Sequence, residues 1–217
     1  MVRRIETESA SGFIHEPGHI LKATGAGLAL THGAGANCET PLLTTVAETF
    51  AACGITVLRF NLAFRRNRRF GPPHPSGAAA DRASIRAAVA ALRIEVAGPI
   101  YMGGHSYGGR QATMLAAEQP DTAGGLLLFS YPLHPPNKPK ELRTAHFSSL
   151  RTPALFVHGD SDPLGSPEEL RAALELIPAT TRLMVIERAA HDLGKGRIDP
   201  AGVVTALLET RRSAGSA

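Results

Sequence analysis

A chain of 217 residues carries enough material for one sizeable core, and 43% hydrophobic with 19% charged residues excludes a broadly disordered chain. A net charge of +4 is mildly basic, which is compatible with nucleic-acid contact but does not require it. No apolar run approaches the length of a membrane span, and MVRRIETESA has no apolar run behind its arginines, so it does not read as a secretory signal. These readings set the expectations of a cytoplasmic protein with no membrane and no nucleic-acid partner.

In chain order, segments 2–8 and 12–16 fit short antiparallel strands at one edge. GLALT (27–31) predicts a buried strand, followed by a helix over 41–53 and a strand at ITVLRF (55–60). A Pro/Gly/Arg-rich loop is expected over 61–80, with Asp81 as N-cap of an Ala-rich helix to about residue 96. PIYMGG (99–104) predicts a strand, 107–119 a helix, and GGLLLFS (124–130) a strand. A second Pro-rich irregular stretch is expected to about residue 150. PALFVHG (153–159) predicts a strand, 167–177 a helix with an acidic first turn, RLMVIE (182–187) the last strand and 200–212 a closing helix. Strands alternating with helices imply βαβ units. The predicted fold is a three-layer α/β/α sandwich around a mostly parallel sheet, in a single domain over 1–217 with a frayed tail at 213–217.

The chemistry-bearing signal is Gly104-His105-Ser106-Tyr107-Gly108. A G-x-S-x-G alone is weak, and its bland reading is a plain Gly-rich turn. Here it directly follows an apolar strand and directly precedes a helix, the context of a nucleophile elbow. A serine hydroxyl needs a base, and the base an orienting acid. Asp162, just past the strand ending near Gly159, fits the acid, with Asp160 as rival and a turn-capping aspartate as the bland reading. His191, in Ala189-Ala190-His191-Asp192-Leu193, is the only one of nine histidines C-terminal to that acid. His32 and His105 are expected to be structural neighbours of the motifs, and the other six to lie at the surface or in turns.

Acyl transfer also needs donors for the developing oxyanion. The backbone N–H of Tyr107 is one candidate. The second is the N–H of Ala34, in the turn His32-Gly33-Ala34-Gly35-Ala36-Asn37 after the first parallel strand. No phosphate-loop pattern is present in that turn. The two cysteines, Cys38 and Cys53, sit in no metal-binding pattern and are expected as free thiols; no metal and no cofactor is called for. No long insertion is available to build a lid, so an open pocket for short acyl groups is expected, with Leu62, Phe64, Tyr131 and Leu133 as its walls. Arg65 and Arg66, in the cluster 65–69, are candidates to orient an acidic substrate, against the bland reading of a solvated basic loop.

These motifs resemble the α/β-hydrolase superfamily, in particular its small, lidless, dienelactone-hydrolase-like branch. Within that branch, THGAGAN (31–37), LRFNLAFRRNRR (58–69), GGHSYGGR (103–110), HGDSDPLGSPEEL (158–170) and His191-Asp192-Leu193 are similar to a family that includes testis-expressed and chromatin-complex (NSL subunit) homologues. The resemblance runs from about residue 20 to the C-terminus. It implies a serine hydrolase of esterase type acting on a small-molecule acyl substrate. Members of this group also work as binding scaffolds, so a non-catalytic interaction module is one alternative. A peptidase with the same triad is another. Dienelactone hydrolases proper use a cysteine nucleophile where this chain has Ser106.

Overall fold

A computed structural model describes residues 1–6, 11–18, 24–194 and 198–214. Its eight strands form one sheet: β1 (Val2–Glu6), β2 (Ser11–His15), β3 (Gly27–Thr31), β4 (Thr56–Phe60), β5 (Ile100–His105), β6 (Leu126–Phe129), β7 (Ala154–Gly159) and β8 (Thr181–Ile186), in the order β1-β2-β4-β3-β5-β6-β7-β8. β1 and β2 are antiparallel and form one edge, as expected; positions 7 and 8 of the predicted first strand lie outside the described residues. The pairings from β4 through β8 are all parallel.

The helices are α1 (Pro41–Ala52), α2 (Ala63–Asn67), α3 (Ala78–Glu95), α4 (Tyr107–Glu118), α5 (Pro167–Leu174) and α6 (Pro200–Ala214). The strands' side chains alternate between two apolar layers, as the period of two in an extended chain requires. Leu126 and Leu128 of β6, with Ala154 and Phe156 of β7, pack against α3, α4 and α5. Leu127, Phe129, Leu155 and Val157 point the other way, against α1 and α6. The result is the predicted three-layer sandwich, whose central strands are buried on both faces and therefore read as continuous apolar runs. α5 opens with a capping box: the Ser166 Oγ accepts the Glu169 N–H at 3.2 Å, and the Glu169 carboxylate accepts the Ser166 N–H at 2.8 Å.

Two predicted boundaries shift for a physical reason. The stretch 61–80 is not all loop, because residues 63–67 wind into α2. Asp81 is not an N-cap: α3 already begins at Ala78. The Asp81 carboxylate, fully buried, accepts the Phe64 N–H at 3.0 Å and the Tyr107 hydroxyl at 2.7 Å, tying α2 and α4 to α3. Of the expected tail, Ser213 and Ala214 belong to α6, and 215–217 lie outside the described residues. Among the described residues no helix is long and apolar enough to cross a membrane, and both cysteines are free thiols.

The strand order places a switch point at β3. The chain leaves β3 for β4 on one side, then returns through α3 to β5 on the other. A crevice opens outside the carboxyl ends of strands at such a point, the usual ligand position in a parallel α/β sheet.

Candidate active site

Ser106 follows β5 at this crevice and precedes the first residue of α4, with φ 51° and ψ −116°. A positive φ on a residue with a side chain is strained and persists only where its surroundings impose it. Ser106 N–H donates to Phe129 O at 2.8 Å, and Arg110 N–H donates to Ser106 O at 3.0 Å, pinning the turn from both sides. The neighbours must be glycine because other backbone comes close. A Cβ on Gly108 would stand 2.6 Å from the His32 carbonyl oxygen, and one on Gly104 would strike the carbonyl of Thr31.

Asp162 lies in the turn after β7 and His191 in the turn after β8. The Asp162 side chain is buried and His191 partly exposed. The imidazole Nδ1 is 2.8 and 3.0 Å from the two carboxylate oxygens, and Nε2 is 2.7 Å from Ser106 Oγ. A carboxylate only accepts, so the proton sits on Nδ1. That leaves Nε2 as the acceptor for the serine hydroxyl. The Leu164 N–H donates to Asp162 Oδ1 at 2.9 Å and fixes the carboxylate's rotation.

Asp160, the rival acid, points elsewhere. It is exposed and accepts the backbone N–H groups of Arg188 and Ala189 at 2.9 and 3.2 Å, and the Ser161 hydroxyl at 2.9 Å. These bonds, the Arg188 N–H first, hold its carboxyl below the usual carboxylate range. Asp160 thus anchors the turn that delivers His191.

The turn after β3 approaches the nucleophile closely: a Cβ on Gly33 would stand 3.4 Å from Ser106 Cβ. Ala34 and Ser106 line one cavity. As first residue of α4, Tyr107 has no helical acceptor for its N–H, and the Ala34 N–H takes no acceptor among the described residues. Both residues line the cavity that opens at Ser106. His32 is fully buried beneath this turn. It accepts the Leu62 N–H on Nε2 at 3.2 Å, so Nδ1 donates to Gly33 O at 2.9 Å. Burial pushes its pKa down to about 4, so it stays neutral in that role. The His105 Nε2–H donates to His191 O at 2.7 Å and braces the turn that carries His191.

Several residues expected to wall the cavity do not line it. Leu62, Tyr131 and Leu133 are fully buried members of the core, because their side chains point beneath the crevice into the α3–α4 layer. Phe64 packs edge-on between His32 and Tyr107, at centroid distances of 5.5 and 5.8 Å. Arg66 is exposed and does not line the Ser106 cavity. Arg65 is buried and all five of its N–H donors are in use: Nε on Ala36 O (2.7 Å), Nη1 on Arg68 O and Arg69 O (3.2 and 2.7 Å), Nη2 on Ala34 O and Gly71 O (both 3.1 Å). A guanidinium so saturated has nothing left for a substrate, and its role is to hold the Ala34 turn. The signal missed in the sequence is that an arginine beside a Gly-rich turn serves bare carbonyls as readily as ligands.

The two irregular stretches do border the cavity, through Pro72, His74, Pro132 and Arg143 in place of the predicted walls. His15 and His158, expected at the surface or in turns, are buried: His15 accepts Arg59 Nε–H at 2.8 Å, and His158 Nε2–H donates to Gly165 O at 2.7 Å. His19 lies outside the described residues. No group of three or more metal-ligating side chains occurs among the described residues.

A mostly parallel sheet with a strained serine elbow at its switch point is the architecture of the α/β hydrolases. A family model for the alpha/beta hydrolase domain matches residues 24–208, and the chain belongs to that family. Solved structures similar to it include Est1E from Butyrivibrio proteoclasticus (TM-score 0.71, 19% identity, covering 100% of this chain and 99% of that one). Dienelactone hydrolase from Anabaena variabilis is similar at TM-score 0.72 and 19% identity, covering 97% and 95%. XC6422 from Xanthomonas campestris, described as an α/β serine hydrolase without lid, is similar at TM-score 0.73 and 17% identity, covering 98% and 94%.

Proposed function

We propose that this chain is a serine hydrolase that cleaves a carboxylic ester or related acyl bond through an acyl-enzyme on Ser106. The observation that carries the reading is the continuous relay from Ser106 Oγ through His191 to the buried Asp162, with contacts of 2.7 and 2.8 Å. In the first half-reaction His191 Nε2 takes the serine proton as Oγ bonds to the acyl carbon. Asp162 holds the imidazole and stabilises its charged form. The negative oxygen of the tetrahedral intermediate is received by the N–H groups of Ala34 and Tyr107. Collapse expels the alcohol, which takes the proton back from Nε2. Water then adds to the acyl carbon with Nε2 again as base, and a second collapse frees the acid and restores the serine.

The test is covalent labelling by a fluorophosphonate probe together with turnover of 4-nitrophenyl acetate. The wild-type chain should be labelled and active. Ser106→Ala should lose labelling and about 10³-fold or more in turnover with an unchanged circular-dichroism spectrum, a small remainder arising from the oxyanion donors alone. Undiminished turnover in that variant refutes the assignment.

A further inference from the structure

The cavity that opens at Ser106 has a volume of about 630 Å³, and two of its walls are cationic. Arg110 stands one turn into α4, its N–H bonded to the Ser106 carbonyl, so its position relative to the nucleophile is fixed by the helix. Arg143 approaches from the Pro-rich stretch after β6. No Asp or Glu lines the cavity among the described residues. Among the described residues neither guanidinium forms an ion pair there; Glu141, whose charge Arg143 feels, is paired with Lys138 at 2.9 Å.

Their neutral contacts are sparse. Arg143 Nη1 reaches Pro132 O at 3.5 Å, and the Arg110 guanidinium lies beside the Tyr131 hydroxyl, whose proton goes to Arg143 O at 2.7 Å. Among the described residues two buried donors behind this wall have no acceptor: Arg110 Nε and Gln111 Nε2. Gln111 is 1% exposed, and its only acceptor oxygen is taken by Arg82 at 3.1 Å. The two guanidiniums feel each other: burial and then the charge of Arg110 hold the Arg143 pKa down. Like charges converging on a cavity whose lining holds no acid leave an electrostatic demand that an anionic ligand meets.

We propose that this cavity is a carboxylate subsite and that the acyl group cleaved at Ser106 carries a free carboxylate, as in the half-ester of a short dicarboxylic acid. The planar forks of Arg110 and Arg143 match the two oxygens of such a group. This substrate class rests on the serine-hydrolase reading above, and the hydrolysis step is unchanged by it.

The test compares kcat/KM for mono-4-nitrophenyl adipate with that for 4-nitrophenyl hexanoate, equal in chain length and differing in the terminal carboxylate, with the Ser106→Ala background subtracted. The wild type should favour the adipate half-ester by about tenfold or more, and Arg110→Gln and Arg143→Gln should each bring the ratio toward one. Arg86→Gln, on the exposed face of α3, should leave the ratio in place and so exclude a general effect of net charge. A wild-type ratio of one or less, or a ratio unmoved by both cavity variants, overturns the proposal. Calorimetry supplies an independent arm. Adipate should bind Ser106→Ala where hexanoate does not, and adding Arg143→Gln should abolish that binding. Arginine-dependent adipate binding by a chain that turns over neither ester sustains the subsite and refutes the hydrolase. Turnover of both esters without preference or adipate binding does the reverse.

Discussion

Asp160 and Asp162 are two residues apart, yet their carboxylates do different work. Asp162 is buried against the imidazole, whereas Asp160 holds two backbone donors in the turn that leads to His191 and the hydroxyl of the adjacent Ser161. Asp162→Asn offers an amide to Nδ1 and favours the wrong tautomer, so kcat should fall by about 10³–10⁴-fold. Asp160→Asn keeps one acceptor oxygen and leaves the relay intact, so its loss should stay below about tenfold, or roughly 1.4 kcal/mol in the barrier. Steady-state kinetics on the two variants decide the matter, and a larger loss at 160 reverses the assignment. At the same scale, a base that must be neutral to accept the serine proton makes kcat/KM fall on acidification. A flat profile between about pH 5 and 9 contradicts a histidine base.

Among the elements, the turn after β3 depends most on a partner outside itself. Its own sequence is rich in glycine and holds no regular hydrogen-bond ladder, so its conformation is imposed by His32 beneath it and by Arg65 of α2 beside it. Arg65→Met removes five charge-assisted bonds to carbonyls and frees the Ala34 turn. The expected outcome is a fall of about 10–100-fold in kcat with KM little changed, less than the 10²–10³ typical of losing an oxyanion donor outright because the turn is loosened and not deleted. A merely structural role would instead lower the melting temperature and leave kcat per folded molecule intact. Arg65→Lys, with one point charge in place of a fork, should recover only part of the rate. If kcat per folded molecule is unaffected by Arg65→Met, the turn does not need this brace.

Across the whole molecule, His15 under the β2 edge, His32 at the switch point and His146 beside α4 are each held neutral, chiefly by burial, which pushes their pKa values down to about 4. In the unfolded chain each titrates near its ordinary value of about 6.5. The unfolded state therefore binds more protons between those limits. The stability these histidines lend is complete above about pH 6.5 and drains away as the pH falls toward about 4. Urea midpoints measured from about pH 7.5 to 4.5 should decline in this window, and the double variant His15→Gln, His146→Gln should decline less steeply. Equal slopes for the two proteins would dissociate the acid sensitivity from these residues.

The amino-acid sequence is enough to read the layered α/β fold, the serine elbow and the histidine. Each is written in local or ordinal rules: apolar runs of strand length, small residues forced by a tight strand-to-helix turn, and a single histidine after the acid. It placed the acid within a window of two aspartates, because the turn after β7 is local but the direction of each carboxylate is set by the packing of β8 against β7. Which arginines face the Ser106 cavity is settled by tertiary packing. Arg65 is claimed by carbonyls up to 31 residues away, while Arg110 and Arg143, in segments with no pattern in common, converge on the Ser106 cavity. Such partnerships join positions far apart in the chain, and no periodicity records them: which side chain is sated by backbone and which is left facing a cavity depends on the strand order and on the crevice it opens.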